Sequence, residues 1–326
     1  LITPVKESAK DTLNYRQKLF HFSQRSVASK GFTEAITWSF TDSRIDNLFS
    51  ELKSEIKLSN PISSDLNVMR SSLYTNLMIG VQKNINRNFE DLMLFEVGPV
   101  FRGSKPGQQL TMIGAIKTGK YSRKNWIEKE RDFDVFDIKN DAVRTLNEIG
   151  IENSKIAVSN KTKSWYHPGR SGLLSLGSVN GPELAYFGEI HPSIIKKLDL
   201  KTDNVLGFEI FLDNIPESRK KIRETKPQFI FSDYQKVARD FAFIIDEKYS
   251  SNEIISMVKN IDKELIKEVK IFDVYKGDNI DSGKKSIAFN VILEPQDKTL
   301  SEGDIEKVSK KIISIVQEST GATLRS

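Results

Sequence analysis

Residues 269–293 read VKIFDVYKGDNIDSGKKSIAFNVIL. This stretch predicts two antiparallel strands, Val269 to Tyr275 and Ser286 to Leu293, joined by the hairpin loop Gly277–Gly283. In the later strand, small or polar residues alternate with bulky apolar ones as far as Val291. This alternation indicates a sheet with one face in a core and the other face turned away from it.

The flanking sequence completes the order strand, helix, strand, strand, helix, strand. Each helix is predicted to begin with a capping box, in which a serine precedes an acidic residue by three positions. The flanking elements are a strand at Val237 to Ile245, a helix after Ser250 with Glu253 in its box, a helix after Ser301 with Asp304 in its box and its end at Gly321, and a short strand at Ala322 to Arg325.

Small and polar side chains are predicted on the face of this sheet that the helices leave open. Alternation puts Phe272 and Val274 on the helix-covered side, so Asp273 and Tyr275 face away from it. On the neighbouring strands the outward residues include Ala242 and Ser286. The surface is therefore shaped to receive a flat partner, such as a nucleic-acid base.

Four residues are the candidate base-binding site: Ala242, Asp273, Tyr275 and Ser286. The Tyr275 ring can stack on a base, and the Asp273 carboxylate can accept hydrogen bonds from base N–H groups, which suits guanine. Ser286 can donate or accept at short range, and Ala242 keeps the surface flat. The alternative is an ordinary solvated sheet face.

Residues 1–214 are predicted to form a separate α+β domain built on an antiparallel sheet. Residues 215–230 are charged, contain two prolines and lack periodicity, which predicts a linker to a last domain at residues 231–326. Strands are predicted at Phe32 to Phe40, Leu92 to Phe101 with an interruption at Gly98-Pro99, Thr111–Ile116, Leu173–Leu176, Leu184–Glu189 and Val205–Leu212, and helices at Asn14–Lys30, Ser72–Phe89, Ile138–Ile149 and Pro192–Leu198.

Composition favours a cytoplasmic protein with no membrane partner. The 326 residues include no cysteine, and no apolar run approaches the roughly 20 residues that a spanning helix needs. The chain begins with Leu1, which favours a fragment or a processed product. The net charge is +5, yet residues 231–326 carry 15 basic against 17 acidic residues. Because the last domain is net negative, the isolated chain is expected to bind nucleic acid only weakly.

No catalytic or metal-ligating residue is predicted in this chain. The histidines, His21, His167 and His191, are far apart in the sequence and lack metal-ligand spacing. His167 is expected to have a structural role in a tight turn. Asp132 and Asp134 can face one way on a strand, but such pairs are common on surfaces. The serines lack the context of a nucleophile elbow.

The chain resembles the bacterial phenylalanyl-tRNA synthetase β subunit family over nearly its whole length. In the last domain the matching pieces have the order and spacing of its ferredoxin-fold anticodon-binding domain. These pieces are Ala238-Arg239-Asp240-Phe241-Ala242, Phe272 to Gly277 and Gly283 to Phe289; further upstream they are Gly31-Phe32-Thr33-Glu34, Asn60-Pro61-Ile62-Ser63, Met69-Arg70-Ser71-Ser72-Leu73, Leu94-Phe95-Glu96-Val97-Gly98 and Phe187-Gly188-Glu189-Ile190-His191-Pro192.

The resemblance implies a partner and an activity for the assembly. A β subunit of this family pairs with a catalytic α subunit in an (αβ)2 heterotetramer that joins phenylalanine to tRNA(Phe) with ATP and Mg2+. The front domain would be a class II synthetase-like core that serves as a scaffold, with no cofactor bound by this chain. Ala242, Asp273, Tyr275 and Ser286 match the family's contacts to the first anticodon base. The editing module and the magnesium-associated domain of a full β subunit have no counterpart here.

The residues of the front domain agree with a loss of catalysis. Class II adenylation uses an arginine on a strand to bind ATP phosphates, and the corresponding strand, Phe95 to Gly98, has none. The helices at Asn14–Lys30 and Ser72–Phe89 have apolar residues on more than one face. They are either buried core or a subunit interface, and the resemblance favours the interface.

Two other functions remain open from the sequence. A βαββαβ domain also suits an amino-acid-sensing regulatory module. An independent hydrolase is the third possibility, and the missing nucleophile context argues against it.

Overall fold

The computed structural model describes residues 12–52, 55–217, 231–277 and 280–325. The chain divides into two compact units, Leu1–Arg223 and Glu224–Ser326, which we call the front unit and the tail unit. Most of the predicted linker, residues 218–230, lies outside the described residues. In the described parts of the chain, no helix is long and apolar enough to cross a membrane.

The front unit is a mixed α+β structure. Its helices are α1 (Tyr15–Ala28), α2 (Ser43–Asp46), α3 (Tyr74–Ile85), α4 (Val135–Glu148) and α5 (Pro192–Lys197). Its strands are β1 (Thr33–Glu34), β2 (Phe40–Thr41), β3 (Val68–Met69), β4 (Leu92–Phe101), β5 (Gln109–Thr118), β6 (Lys120–Ser122), β7 (Arg131–Asp132), β8 (Ile156–Ser159), β9 (Tyr166–Leu176), β10 (Glu183–Ile190) and β11 (Val205–Phe211).

A seven-stranded sheet in the order β1-β4-β5-β11-β10-β9-β8 is the centre of the front unit. The prediction of an antiparallel sheet is right for every pair except β1 and β4, which are parallel. Helices cover both faces: Ile113 of β5 packs in the cluster with α1 and α4, and Met112 packs in the cluster with α3 and α5. Burial on both faces explains why the centre of β5, Met112 to Ile116, is continuously apolar.

Two strand predictions in the front unit are wrong. Phe32 to Phe40 does not form one strand, because the chain leaves the sheet edge after Ala35. The Trp38 carbonyl then accepts a side-chain hydrogen bond from Asn76 Nδ2 at 2.6 Å instead of a strand partner.

The predicted break at Gly98-Pro99 is absent, and β4 continues through both residues. The Pro99 carbonyl accepts a hydrogen bond from Arg70 Nε at 3.0 Å, so it points away from β5. Because the N and C=O of a strand residue point to the same side, the missing N–H of Pro99 removes no bond to β5.

A buried ion pair holds three segments of the front unit together. Arg70 is 1% exposed, and its Nη1 lies 2.8 Å from Glu96 Oε1 and 2.9 Å from Thr37 Oγ1. Thr37 Oγ1 in turn donates to Glu96 Oε2 at 2.6 Å. An added Cβ at Gly98 would lie 2.7 Å from Arg70 Nη2, so glycine is needed beside the guanidinium. Both charges are buried, and both Glu96 oxygens and the Nε and Nη1 atoms of Arg70 have hydrogen-bond partners.

A second buried carboxyl, Glu209 on β11, lies among neutral donors. It accepts hydrogen bonds from Ser72 Oγ at 2.7 Å and from Trp165 Nε1 at 3.2 Å. In the described ranges no lysine or arginine lies within ion-pair distance of it. Burial raises the pKa of the Glu209 carboxyl above its ordinary value.

The tail unit has the predicted βαββαβ order and a ferredoxin-like sheet, β13-β14-β12-β15, which confirms the predicted fold class. Its apolar core lies between this sheet and its two helices. Both predicted capping boxes are present, at Ser250 and Ser301. Gly321 ends the last helix in the left-handed conformation that glycine favours. The elements are β12 (Val237–Asp246), α6 (Ser251–Lys259), β13 (Ile266–Tyr275), β14 (Lys284–Leu293), α7 (Glu302–Thr320) and β15 (Thr323–Leu324).

The buried pair makes a testable contribution to stability. Replacing Arg70 with Met leaves Glu96 buried without its cation, so Arg70→Met should lower the free energy of unfolding by about 3–5 kcal/mol. The replacement Lys155→Met, in an exposed pair with Glu152, should cause a far smaller change. Urea denaturation followed by tryptophan fluorescence measures both, since all three tryptophans are in the front unit.

The double variant Arg70→Met/Glu96→Leu supplies the decisive comparison. It removes both charges, so it should be more stable than Arg70→Met alone. The single variant Glu96→Leu completes the comparison. If the double variant loses as much free energy of unfolding as the two single variants lose together, the uncompensated charge is not the cause of the loss.

Glu209 predicts a pH dependence of stability. A carboxyl whose pKa is raised by folding stabilises the native state at low pH, and this contribution is lost as pH rises above 4.5, the ordinary value, through the raised pKa. Glu209→Gln keeps the size of the side chain and one acceptor oxygen but cannot ionise. Its stability relative to the wild type should therefore increase between pH 5 and pH 8. A difference that stays constant over this range would show that Glu209 does not ionise with a raised pKa.

Candidate nucleic-acid interface

The position of β14 between β12 and β13 brings the predicted site residues onto one face. Ala288 of β14 pairs with Ala242 on one side and with Asp273 on the other. Two residues along β14, Ser286 pairs with Tyr275. Because directly paired residues point to the same side of a sheet, all four predicted residues share the face opposite the helices.

The second strand reaches this arrangement through a β-bulge that the sequence analysis missed. Ile271 pairs with Phe289 in the core, and the next pairing is Asp273 with Ala288, so Phe272 is an extra residue in β13. Phe272 is 61% exposed and Val274 is 47% exposed. The prediction that both are buried is therefore wrong, although the outward direction predicted for Asp273 and Tyr275 is right.

The bulge reverses the side-chain alternation of β13. Val269 and Ile271 pack on the core. With simple alternation continued from these two residues, Asp273 and Tyr275 would face the helices. The extra residue turns them to the other face, beside Ala288 and Ser286.

The four predicted residues differ in accessibility. Asp273 is exposed, Tyr275 is 40% exposed and Ala242 is half-buried. Ser286 is only 4% exposed, and its Oγ accepts a hydrogen bond from Arg325 Nη1 at 3.2 Å. A flat ligand on this face would therefore meet the Asp273 carboxylate and the Tyr275 ring before the Ser286 hydroxyl.

Arg325 is the charged residue of this face that the sequence analysis did not single out. Its backbone N–H donates to the Ala242 carbonyl at 2.8 Å, next to the pairing of β15 with β12. The alternation of the predicted last strand could have found it, because Thr323 and Arg325 fall on the same side. The face thus holds an acceptor, an aromatic ring and a cationic donor around a floor of two alanines.

Two charged residues of the tail unit lie on the core side of their strands by alternation, and the head group of each reaches a backbone carbonyl. Arg239, placed by alternation on the core side, is exposed and its head turns back to the Ala238 carbonyl at 3.2 Å. Lys285 lies on the core side of β14 and its Nζ donates to the Tyr249 carbonyl at 2.5 Å. Burial lowers the pKa of Lys285.

The described residues of the front unit form no comparable site on an open sheet face. The His167 and His191 rings stack with centroids 6.5 Å apart, and the Nδ1 atom of each accepts a backbone N–H, from Gly169 and Ser193. His167 lies in β9 rather than in a tight turn. In the described ranges no group of three or more His, Asp or Glu side chains is placed to hold a metal ion.

Other candidate residues of the front unit also have structural surroundings. Asp134 is the N-cap of α4 and not a strand residue beside Asp132. The helices predicted as either core or subunit interface turn most of the apolar residues on which that prediction rested into the unit's own core. Leu19, Leu73, Leu77 and Met78 are buried there, and Phe20 and Ile79 are half-buried.

Comparison with known proteins assigns each unit to a family. Residues 2–212 match the phenylalanyl-tRNA synthetase beta chain CLM domain, and residues 232–325 match the ferredoxin-fold anticodon-binding domain. A phenylalanine–tRNA ligase beta subunit of Rhodospirillum rubrum is 41% identical over 93% of this chain and 37% of its own length. That of Rickettsia bellii is 41% identical over 99% of the chain and 36% of its length.

The chain thus spans less than half the length of these relatives. Among solved structures, a pyrrolysyl tRNA synthetase of Desulfitobacterium hafniense aligns over 60% of this chain and 66% of its own, with 17% identity and a TM-score of 0.46, too low to carry an argument. The family matches and the identity of the relatives lead to one conclusion: the chain belongs to the phenylalanyl-tRNA synthetase beta chain family.

Proposed function

We propose that this chain is the part of a phenylalanine–tRNA ligase β subunit that supports the catalytic α subunit and binds the anticodon of tRNA(Phe). The observation that carries this proposal is the shared face of Ala242, Asp273 and Tyr275 in a domain matched to the anticodon-binding family. The two family matches favour this function over an amino-acid-sensing module.

The chemistry of the face suits one unpaired base. The Tyr275 ring provides stacking worth about 1–3 kcal/mol per base. The Asp273 carboxylate accepts from N–H groups on a Watson–Crick edge, as guanine presents. The alanines at 242 and 288 let the ring of a base approach the sheet closely. Because residues 231–326 have more acidic than basic side chains, other parts of the ligase supply most of the phosphate contacts.

The front unit acts in this proposal as a scaffold without catalysis of its own. Helices cover both faces of its sheet, and Arg70, the basic residue beside Glu96, is committed to a buried structural pair. Glu209, another buried carboxyl, is held by Ser72 and Trp165. Arg70 is thereby unavailable to bind ATP phosphates, and the proposal places ATP and Mg2+ at the α subunit.

The assembly follows the same proposal. The chain works in the cytoplasm, within an (αβ)2 heterotetramer. We place the functional boundary at residues 215–230, between a catalytic-like domain at 1–214 and an anticodon-binding domain at 231–326. The division of the chain into two compact units supports this placement.

Substitution of Tyr275 tests the anticodon assignment. In a full-length β subunit assembled with α, Tyr275→Ala should raise the KM for tRNA(Phe) by roughly 5- to 150-fold, as expected for the loss of one stacked base. Tyr275→Phe keeps the ring and should stay close to the wild type. Steady-state aminoacylation at several tRNA concentrations measures both effects.

Phe272→Ala is the matched control, because it removes a neighbouring exposed aromatic ring that lies in the bulge. It should leave the KM for tRNA almost unchanged. If Tyr275→Ala charges tRNA with an unchanged KM, the face does not bind the anticodon.

A further inference from the structure

We propose that the β6–β7 hairpin of the front unit is a second RNA-binding surface. It takes an unstacked nucleotide of the tRNA, outside the anticodon, on the indole ring of Trp126, and the neighbouring phosphates on Lys124 and Lys129. We call residues 119–132 and the chain after the end of α3 the hairpin surface. The inference rests on the proposed function, because it assigns part of the phosphate contacts that the acidic tail unit does not supply.

The base of the hairpin is fixed to the rest of the front unit. Asp91 Oδ1 accepts a hydrogen bond from the backbone N–H of Lys120 at 2.9 Å, and Asp91 Oδ2 lies 2.7 Å from Arg123 Nε. On the other strand, Arg131 Nη1 lies 2.7 Å from Asp137 Oδ2 of α4. The two arginines of the hairpin are therefore committed to holding it in place.

The tip of the hairpin presents a large apolar ring to the solvent. Asn125 Oδ1 accepts hydrogen bonds from the backbone N–H groups of Ile127 at 2.8 Å and Glu128 at 2.9 Å, which closes a tight turn. Trp126 is 92% exposed, more than any other large apolar residue in the described ranges, and Ile127 is 71% exposed. The turn thus keeps an indole ring in water, where a partner can cover it.

Two lysines without ion-pair partners flank this ring. Lys124 and Lys129 are exposed, and no carboxylate of the described residues lies within ion-pair distance of either. Residues 119–132 contain five basic residues against three acidic ones. An aromatic ring between free cations is the arrangement that binds single-stranded nucleic acid, since bases stack on the ring and phosphates meet the cations.

A cleft of about 240 Å³ separates the hairpin base from the end of α3. Its lining includes Arg123 on one side and Asn88 and Phe89 on the other. Phe89 is 62% exposed, and Arg87 is exposed with no carboxylate within ion-pair distance in the part of the chain that the structure describes. A polynucleotide that stacks one base on Trp126 can therefore continue into the cleft and meet a second ring and a further free cation.

The composition of the hairpin surface favours RNA over a protein partner. Lysine and glutamate are depleted in protein–protein interfaces, whereas Lys124, Glu128 and Lys129 surround the exposed ring. Stacking on an indole ring needs no particular base, so this contact adds affinity without selecting a sequence. The hairpin surface is thus suited to hold the tRNA, while the anticodon face selects it.

Substitutions of Trp126 test this surface in the complete ligase, assembled from α and an intact β subunit. Trp126→Ala should raise the Kd for a tRNA(Phe) transcript roughly 5- to 150-fold, as expected for the loss of one stacked base. Trp126→Phe keeps a ring and should lose less affinity. Trp126→Leu keeps apolar bulk without a ring, so it should bind the tRNA as weakly as Trp126→Ala. Filter binding at constant salt measures all three.

The lysines are tested through the salt dependence of binding. Lys124→Ser/Lys129→Ser should weaken tRNA binding and lower the slope of log Kd against log salt concentration by about 1 to 2. The control Lys105→Ser/Lys155→Ser removes two exposed charges from the loop after β4 and from the turn before β8, and should leave the slope almost unchanged. An equal decrease of the slope in both double variants would show a general charge effect and overturn the assignment.

The isolated anticodon stem-loop separates this inference from the proposed function. Trp126→Ala should bind the stem-loop as tightly as the wild type, whereas Tyr275→Ala should bind both the stem-loop and the complete tRNA more weakly. If Trp126→Ala binds the complete tRNA with an unchanged Kd while Tyr275→Ala does not, the hairpin assignment is wrong and the anticodon face stands.

Two further outcomes have separate meanings. If Trp126→Ala separates the β subunit from α, the ring is covered by protein and the RNA assignment is wrong; gel filtration of the assembled ligase measures this. If Tyr275→Ala weakens the binding of neither RNA, the proposed function itself fails.

Discussion

The register of β14 against its two neighbours is the constraint on which the functional face depends. A shift of one residue in either pairing would exchange core and surface side chains along the whole strand. Ile287, Phe289 and Val291 prevent such a shift, because each is buried between the sheet and the helices. Because β14 is fixed in this way, the residues that pair with Ala288 and Ser286 must lie on the face opposite the helices.

The front unit is organised by charge rather than by apolar contact alone. Removing Arg70 and Glu96 from water is costly, and the cost is offset because both Glu96 oxygens and the Nη1 atom of Arg70 meet partners from other segments. These partners come from the irregular stretch after β1, from the end of β3 and from β4. These side-chain bonds hold together a region in which the strands β1 and β3 are only two residues long. The Arg70 and Glu96 side chains are then unavailable for catalysis.

Sequence patterns predicted the elements whose causes are local. Alternation identified the strands of the tail unit, serine–acid spacing identified both capping boxes, and Gly321 marked the end of α7. The bulge at Phe272 escaped prediction because its cause is the match between two strands, not the sequence of one. For the same reason, the sequence did not predict that Arg70 and Glu96, which lie in separate segments, form a buried ion pair. Nor did it predict the hydrogen bond from Arg325 to Ser286.

The small side chain of Ala242 has a consequence for how the sequence is expected to evolve. Arg325 begins beside Ala242, whose carbonyl accepts its N–H, so a longer side chain at position 242 would crowd the start of the Arg325 side chain on its way to Ser286. A drift to valine or leucine there would be tolerated by the fold, since the face is open, yet it would displace the guanidinium. Positions 242 and 325 are therefore expected to change together in evolution, as a coupled pair that strand pairing joins although more than eighty residues separate them.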